Sequence, residues 1–182
     1  VSYFIQGKSY PMASRDELLD QIPALKKRFI KYIDYADATL ESMFEEEQLS
    51  SAVVLQCTEA KSVIFLNNGN LTFTRKALPP EAQFSNTQSI LADDFDKDGT
   101  TDLILLGNFF PYRTQLGESD ASLGLFLQGS GNGNFKAIPP SVAGLFADGD
   151  VRGAVLIGNR SGHRKLVITK NDDHVHVLTI QP

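Results

Sequence analysis

The stretch Asp94-Phe95-Asp96-Lys97-Asp98-Gly99-Thr100-Thr101-Asp102 decides how this chain is read. Aspartates at 94, 96, 98 and 102 crowd around Gly99 within nine residues. Carboxylates this close repel one another unless a cation sits among them. Hard oxygen donors at alternating positions, with a glycine free to make a tight turn, match the needs of Ca2+. Apolar runs flank the stretch, Ser89-Ile90-Leu91-Ala92 before it and Leu103-Ile104-Leu105-Leu106 after it. The expectation is an ion-binding loop that joins two β-strands. An EF-hand loop opens in the same way, but it needs an acid at its twelfth position and helices on both sides. Counted from Asp94, the twelfth residue is Leu105, inside a β-like run. The remaining alternative is a polar turn without an ion, against which four acids in register argue.

From residue 50 onward, short runs rich in Val, Ile, Leu and Phe alternate with Gly/Asn/Asp turns. Strands are expected at 52–57, 61–66, 71–75, 88–93, 102–108, 122–128, 134–138, 145–147, 151–158, 165–169 and 174–180. Asn67-Asn68-Gly69-Asn70 is a hairpin signal. An internal repeat underlies the array. Ile64-Phe65-Leu66-Asn67-Asn68-Gly69-Asn70-Leu71-Thr72-Phe73 is echoed by Leu125-Phe126-Leu127 through Gly131-Asn132-Gly133-Asn134-Phe135, and each copy runs on to a double proline, Pro79-Pro80 and Pro139-Pro140. A partial third copy is read from Ala143 on, with Ala147-Asp148-Gly149-Asp150 in the place of the acidic loop but without its ligand series, so no ion is expected there. Units of about sixty residues with four strands each suggest blades of a β-propeller.

The first fifty residues are of another kind. Residues 1–5 form a short β-like run, expected to belong to a sheet whose other strands lie elsewhere. Ser14-Arg15-Asp16-Glu17 is a capping box that should open a short helix over 16–21. Pro23 suits the first turn of a second helix. There Leu25, Phe29, Tyr32, Ala36, Leu40 and Met43 recur at steps of three or four, one apolar face of a helix. Lys26, Lys27, Arg28 and Lys31 lie off that face and read as a solvated surface.

Composition bounds the rest. The 182 residues carry a formal net charge of -5, which disfavours a nucleic-acid partner. No apolar run approaches the ~20 residues of a membrane-spanning helix. Cys57, the single cysteine, stands in an apolar run and is expected as a buried core thiol. The chain opens on Val1 without an initiator Met or a signal peptide, so it reads as a cut piece or a mature product.

The pattern Asp-x-Asp-x-Asp-Gly-x-x-Asp between two strands, followed by Leu103-Ile104 and Gly107-Asn108-Phe109, resembles an FG-GAP/VCBS repeat, the unit of integrin-type β-propellers. The resemblance extends to the C-terminal portion of large bacterial VCBS-repeat proteins of the ASPIC/UnbV group. It rests there on the helical segment Tyr10 through Phe44, on Leu78-Pro79-Pro80-Glu81-Ala82-Gln83-Phe84-Ser85, on Gly117 through Ser122, and on Gly149-Asp150-Val151-Arg152. The resemblance implies a mainly β chain with an N-terminal helical segment, a partial propeller of two to three four-stranded antiparallel blades with a helical insertion. Residues 1–11 would be a strand from a preceding blade, 12–50 the insertion, 51–86 a partial blade, 87–140 the blade with the calcium loop, and 141–182 a degenerate terminal blade. It implies Ca2+ held by side-chain oxygens of Asp94, Asp96, Asp98 and Asp102 and by the Thr100 carbonyl, with Asp93 outside the ligand set. It also implies an extracytoplasmic setting, periplasmic, outer-surface or secreted.

The function so implied is a calcium-stabilised module that binds a protein or a glycan. The alternatives are a non-catalytic part of a larger secreted hydrolase and a purely structural end-cap. As a piece of a propeller, the chain would have to protect its sheet edges, for which a homodimer is one route. The sequence composes no catalytic set: there is no Gly-x-Ser-x-Gly, and Cys57 has no base next to it in the sequence. His174 and His176 share one face of a strand without an evident third ligand and read as solvent-facing; His163 reads as exposed in a turn. Gly129–Gly133 lacks the Lys and helix of a phosphate loop. The long loop 109–121, with Phe110, Tyr112, Arg113, Glu118 and Asp120, reads either as a ligand contact or as a structural loop that Asp120 caps and whose Phe110 and Tyr112 fill the blade interface.

Overall fold

The computed structural model describes residues 2–113, 116–158 and 164–180. The chain divides into two compact units, Val1–Thr58 and Glu59–Pro182. His163 lies outside the described residues. No helix among the described residues is long and apolar enough to cross a membrane.

The first unit opens with a hairpin rather than a lone strand. Strand β1 (Ser2–Ile5) pairs antiparallel with β2 (Lys8–Pro11), and Tyr3 stacks on its cross-strand partner Tyr10. Helix α1 (Arg15–Gln21) has the expected capping box: the Glu17 N–H donates to Ser14 Oγ at 3.4 Å, and the Ser14 N–H donates to Glu17 Oε2 at 2.7 Å. The long second helix does not form. The segment breaks into a 3-10 turn (Pro23–Lys27) and the short helices α2 (Tyr32–Ala36), α3 (Leu40–Met43) and α4 (Glu46–Ser50). The cause is a series of local caps three residues apart, each of which starts a new turn and ends the preceding one. The Lys31 N–H donates to Asp34, the Thr39 N–H to Ser42, and the Glu45 N–H to Gln48. Arg15 meanwhile takes the Phe29 and Ile30 carbonyls at 2.8 and 2.9 Å, and Arg28 takes that of Met43.

The apolar face is regrouped accordingly. Leu19, Leu25, Phe29, Ala38 and Met43 form the core of this unit, whereas Tyr32 and Ala36 are exposed. Residues 52–57 form no strand, and Val53, Val54, Leu55 and Cys57 are exposed. The expected buried thiol is thereby corrected: without a strand at 52–57 there is no sheet to cover it.

The second unit is β-rich. The hairpin β3 (Val63–Gly69) with β4 (Thr72–Ala77) is followed by a 3-10 turn at Pro80–Gln83. Next comes a four-stranded antiparallel sheet in sequence order: β5 (Thr87–Asp93), β6 (Asp102–Gly107), β7 (Leu125–Gly129) and β8 (Phe135–Ile138). After α5 (Pro140–Ala143) come β9 (Val151–Gly158), β10 (Arg164–Lys170) and β11 (His176–Ile180), a three-stranded antiparallel sheet with β10 in the centre. The described residues thus hold four small antiparallel sheets, the β1–β2 hairpin included, and the chain is mainly β. Residues 145–147 form no strand.

Strand β6 explains how the sheets assemble. Every residue from Asp102 to Gly107 is buried, so this strand is covered on both faces. Alternation sends Leu103 and Leu105 to one side, where with Leu127 they meet Ile64 of the β3–β4 hairpin. It sends Ile104 and Leu106 to the other, where they meet Leu166 and Ile168 of β10 and Val151 of β9. Strand β9 packs against β5 and β6. Three sheets therefore lie in layers around two apolar cores.

Asp148-Gly149-Asp150, expected in the place of the acidic loop of a third copy, precedes β9, the first strand of its sheet, instead of joining two strands of that sheet.

Phe29 packs edge-on to Tyr35 and is 5% exposed. Phe29→Ala should cost about 3 kcal/mol in urea-induced unfolding of the first unit; a change below about 0.5 kcal/mol would mean that this core contributes nothing.

Candidate metal centre

The loop between β5 and β6 is built from its own carboxylates. Lys97 and Gly99 take positive φ, 63° and 88°, and reverse the chain. Asp98 Oδ1 accepts from the Thr100 hydroxyl at 2.6 Å and the Thr100 N–H at 2.7 Å. These bonds, the hydroxyl first, hold the Asp98 carboxyl below its ordinary value of 3.8. With a lowered folded value, the stability that Asp98 lends the loop is present above pH 4 or so and is lost as pH falls through that lowered value. Asp94 Oδ2 accepts from the Gly99 N–H at 3.0 Å, and Asp96 Oδ1 from the Asp98 N–H at 3.1 Å.

Asp102 ties the loop to the sheet. Its side chain is fully buried; Oδ2 accepts from the Phe95 N–H at 3.0 Å and Oδ1 from the Gly129 N–H at 2.7 Å. Backbone and carboxylate approach closely here: a Cβ on Gly129 would lie 2.1 Å from the Thr101 carbonyl oxygen, so only glycine fits. Thr100 Oγ1 lies 3.1 Å from the Gly129 carbonyl, and Gln128 donates to Asp96 Oδ2 at 2.6 Å. The first two loop aspartates thus flank Phe95, which is buried against Phe126 between the sheets.

Of the expected ligands, Asp94, Asp96 and Asp102 converge: each offers a carboxylate oxygen within 4.8 Å of the others. Asp98 is not in this trio; its carboxylate is turned to Thr100. Thr100 faces Asp98 and Gly129 with its hydroxyl. Asp94 Oδ1 is buried and has no hydrogen-bond partner among the described residues. A buried anionic oxygen without a donor is costly unless a cation or a proton meets it. Three converging carboxylates, one of which also carries a buried oxygen without a donor, suit a hard cation such as calcium.

Sequence reasoning missed two features. Asp93, placed outside the ligand set, accepts from the Asp94 N–H at 2.8 Å and forms an ion pair with Arg164 of β10. Asn108 is fully buried at φ 82° and spans the end of β6: its side chain accepts from Ser85 and the Ser122 N–H and donates to the Ser122 and Gly149 carbonyls. The Gly107-Asn108 signal was legible, but its partners were not.

The other candidates are separate. His176 is half-buried on the face of β11 that carries Leu178 and Ile180, not solvent-facing, and His174 precedes that strand. An apolar cavity of about 370 Å3 opens beside the loop between Phe95, Ile104, Phe126, Leu166 and Leu178; among the described residues, Asp96 is the one ionisable side chain in its wall. Comparison with protein-family models, curated proteins and solved structures finds no match.

Asp102→Ala removes the acceptor of two buried N–H groups. The expected loss is about 3–5 kcal/mol in urea unfolding of the metal-free protein; a loss under about 1 kcal/mol would show that the carboxylate is not the brace.

Proposed function

We propose that the chain is a calcium-stabilised portion of a β-propeller that works outside the cytoplasm as a binding module for a protein or a glycan. The observation that carries the calcium part is the convergence of the Asp94, Asp96 and Asp102 carboxylates, beside which the buried Asp94 Oδ1 has no hydrogen-bond partner among the described residues. These three carboxylates would hold the ion. A bound calcium supplies charge neutralisation and fixes the turn; it is a structural ion, and the millimolar calcium of extracellular fluids suffices even for a weak site. The propeller reading is supported by the repeat of strand pairs and double-proline turns and by the layering of three antiparallel sheets. The family resemblance of the loop motif points the same way.

The binding part is supported by the loop that follows β6. The Phe109–Ser119 bridge closes it, Phe109 and Tyr112 meet edge to face at 5.0 Å, and the Arg152 guanidinium lies over the Phe109 ring at 5.2 Å. Tyr112 is 41% exposed with its hydroxyl directed to Asn86. An exposed Tyr112 ring packed on Phe109, over which lies an arginine paired with the buried Asp150, suits a sugar ring or a peptide side chain.

Calcium at about a hundredfold its dissociation constant should raise the melting temperature by roughly 5–10 °C. Asp96→Ala should abolish that rise. No shift in the parent protein, measured after chelator treatment and calcium addition, refutes the ion assignment.

A further inference from the structure

We propose that Arg164 is a positioning residue for the ion loop, so that cation binding at the loop and packing between the two larger sheets are linked. The proposal rests on the reading of the loop as a calcium site. Arg164 belongs to β10, in the sheet that does not contain the loop. Its guanidinium reaches three consecutive residues at the loop entrance. Nη1 pairs with Asp93 Oδ2, Nη2 lies 3.4 Å from the Asp94 carbonyl oxygen, and Cζ stands over the Phe95 ring at 5.5 Å.

Asp93 passes the contact on, because its other oxygen accepts from the Asp94 N–H at 2.8 Å. The backbone of Asp94 is thus held on both sides, at its N–H through Asp93 and at its carbonyl by Arg164. Asp94 is the ligand whose Oδ1 is buried without a partner. Phe95, between two ligands, is buried in the same inter-sheet core as Leu166 and Ile168 of β10. Ordering the loop around an ion therefore orders the groups on which β10 packs, and the reverse holds by linkage.

Charge and position act in opposite directions here. A guanidinium near the loop repels a cation, whereas the contacts it makes preform the ligand. Asp93 cancels the charge, and position is what remains. Removing the pair together separates the two: Asp93→Ala with Arg164→Met leaves the net charge unchanged and keeps bulk over Phe95.

The test is calcium titration calorimetry on the chelator-treated chain, with circular dichroism to show that each variant keeps its strand content. The double variant should bind calcium about tenfold more weakly than the parent, in the range found for residues that orient metal ligands. Arg164→Lys, which keeps the charge but cannot span the three contacts, should fall between them. Binding by the double variant within about twofold of the parent overturns the proposal. A second readout uses the parent alone: calcium should slow amide exchange in residues 164–170 of β10 as well as in the loop. Protection confined to 94–102 overturns the linkage. If the parent itself does not bind calcium, the loop reading fails, and the positioning role falls with it.

Discussion

The buried carboxylate of Asp102 holds the loop and the sheet in one piece. One oxygen takes the N–H of Phe95 at the entrance of the loop, and the other takes the N–H of Gly129 at the end of β7. Both N–H groups would otherwise be orphaned in the interior, where an unmet donor costs about 1–3 kcal/mol. With Asp102 in place, β6 starts in register, Phe95 turns into the inter-sheet core, and Asp94 and Asp96 are left on either side of it. The trio of converging carboxylates is thus a consequence of a backbone-bracing bond. Close packing requires glycine at 129, because the carboxylate can reach the amide only where the Thr101 carbonyl can also approach.

The same economy recurs across the second unit. Strand β6 lies between two cores and has no polar face, so the sheets on either side of it are fixed by the alternation of Leu103, Ile104, Leu105 and Leu106. Polar side chains are confined to the strand ends. Asp102 closes one end and Asn108 the other, both fully buried and both hydrogen-bonded to backbone. Arg164 and Asp93 then join two sheets across 71 positions of sequence. Chemistry that could select a ligand is displaced to the rim, in the acidic loop and in the aromatic loop after β6.

Much of this was legible in the sequence where the signal was local. The strand–loop–strand reading of 88–108, the Asn-Gly hairpin at 67–70 and the Ser14–Glu17 capping box each depend on neighbours within a few residues. The helical segment misled because apolar spacing of three and four was read without the competing caps at Lys31, Thr39 and Glu45, which cut it into short turns. Residues 52–57 have strand composition but no partner strand among the described residues, and propensity alone does not make a sheet. Asp148-Gly149-Asp150 resembles the loop in residue type, yet it precedes β9 rather than joining two strands of one sheet, a difference that residue type does not reveal. Within the site, alternating aspartates were visible, but which of them converge was not. Asp98 is drawn to the Thr100 hydroxyl two residues on, a bond that spacing alone does not distinguish from ligation. The Arg164 contact was beyond reach, since nothing local links it to Asp93.

The central claim is that the trio of Asp94, Asp96 and Asp102 holds one calcium ion. Equilibrium dialysis of the chelator-treated chain against radioactive calcium, with magnesium as competitor, addresses it most directly. The account predicts saturation at one ion per chain, loss of that ion in Asp94→Ala, and displacement by magnesium only in large excess, since magnesium demands near-ideal octahedral geometry and gives up its waters reluctantly. Saturation at zero, or binding that survives Asp94→Ala unchanged, would contradict it.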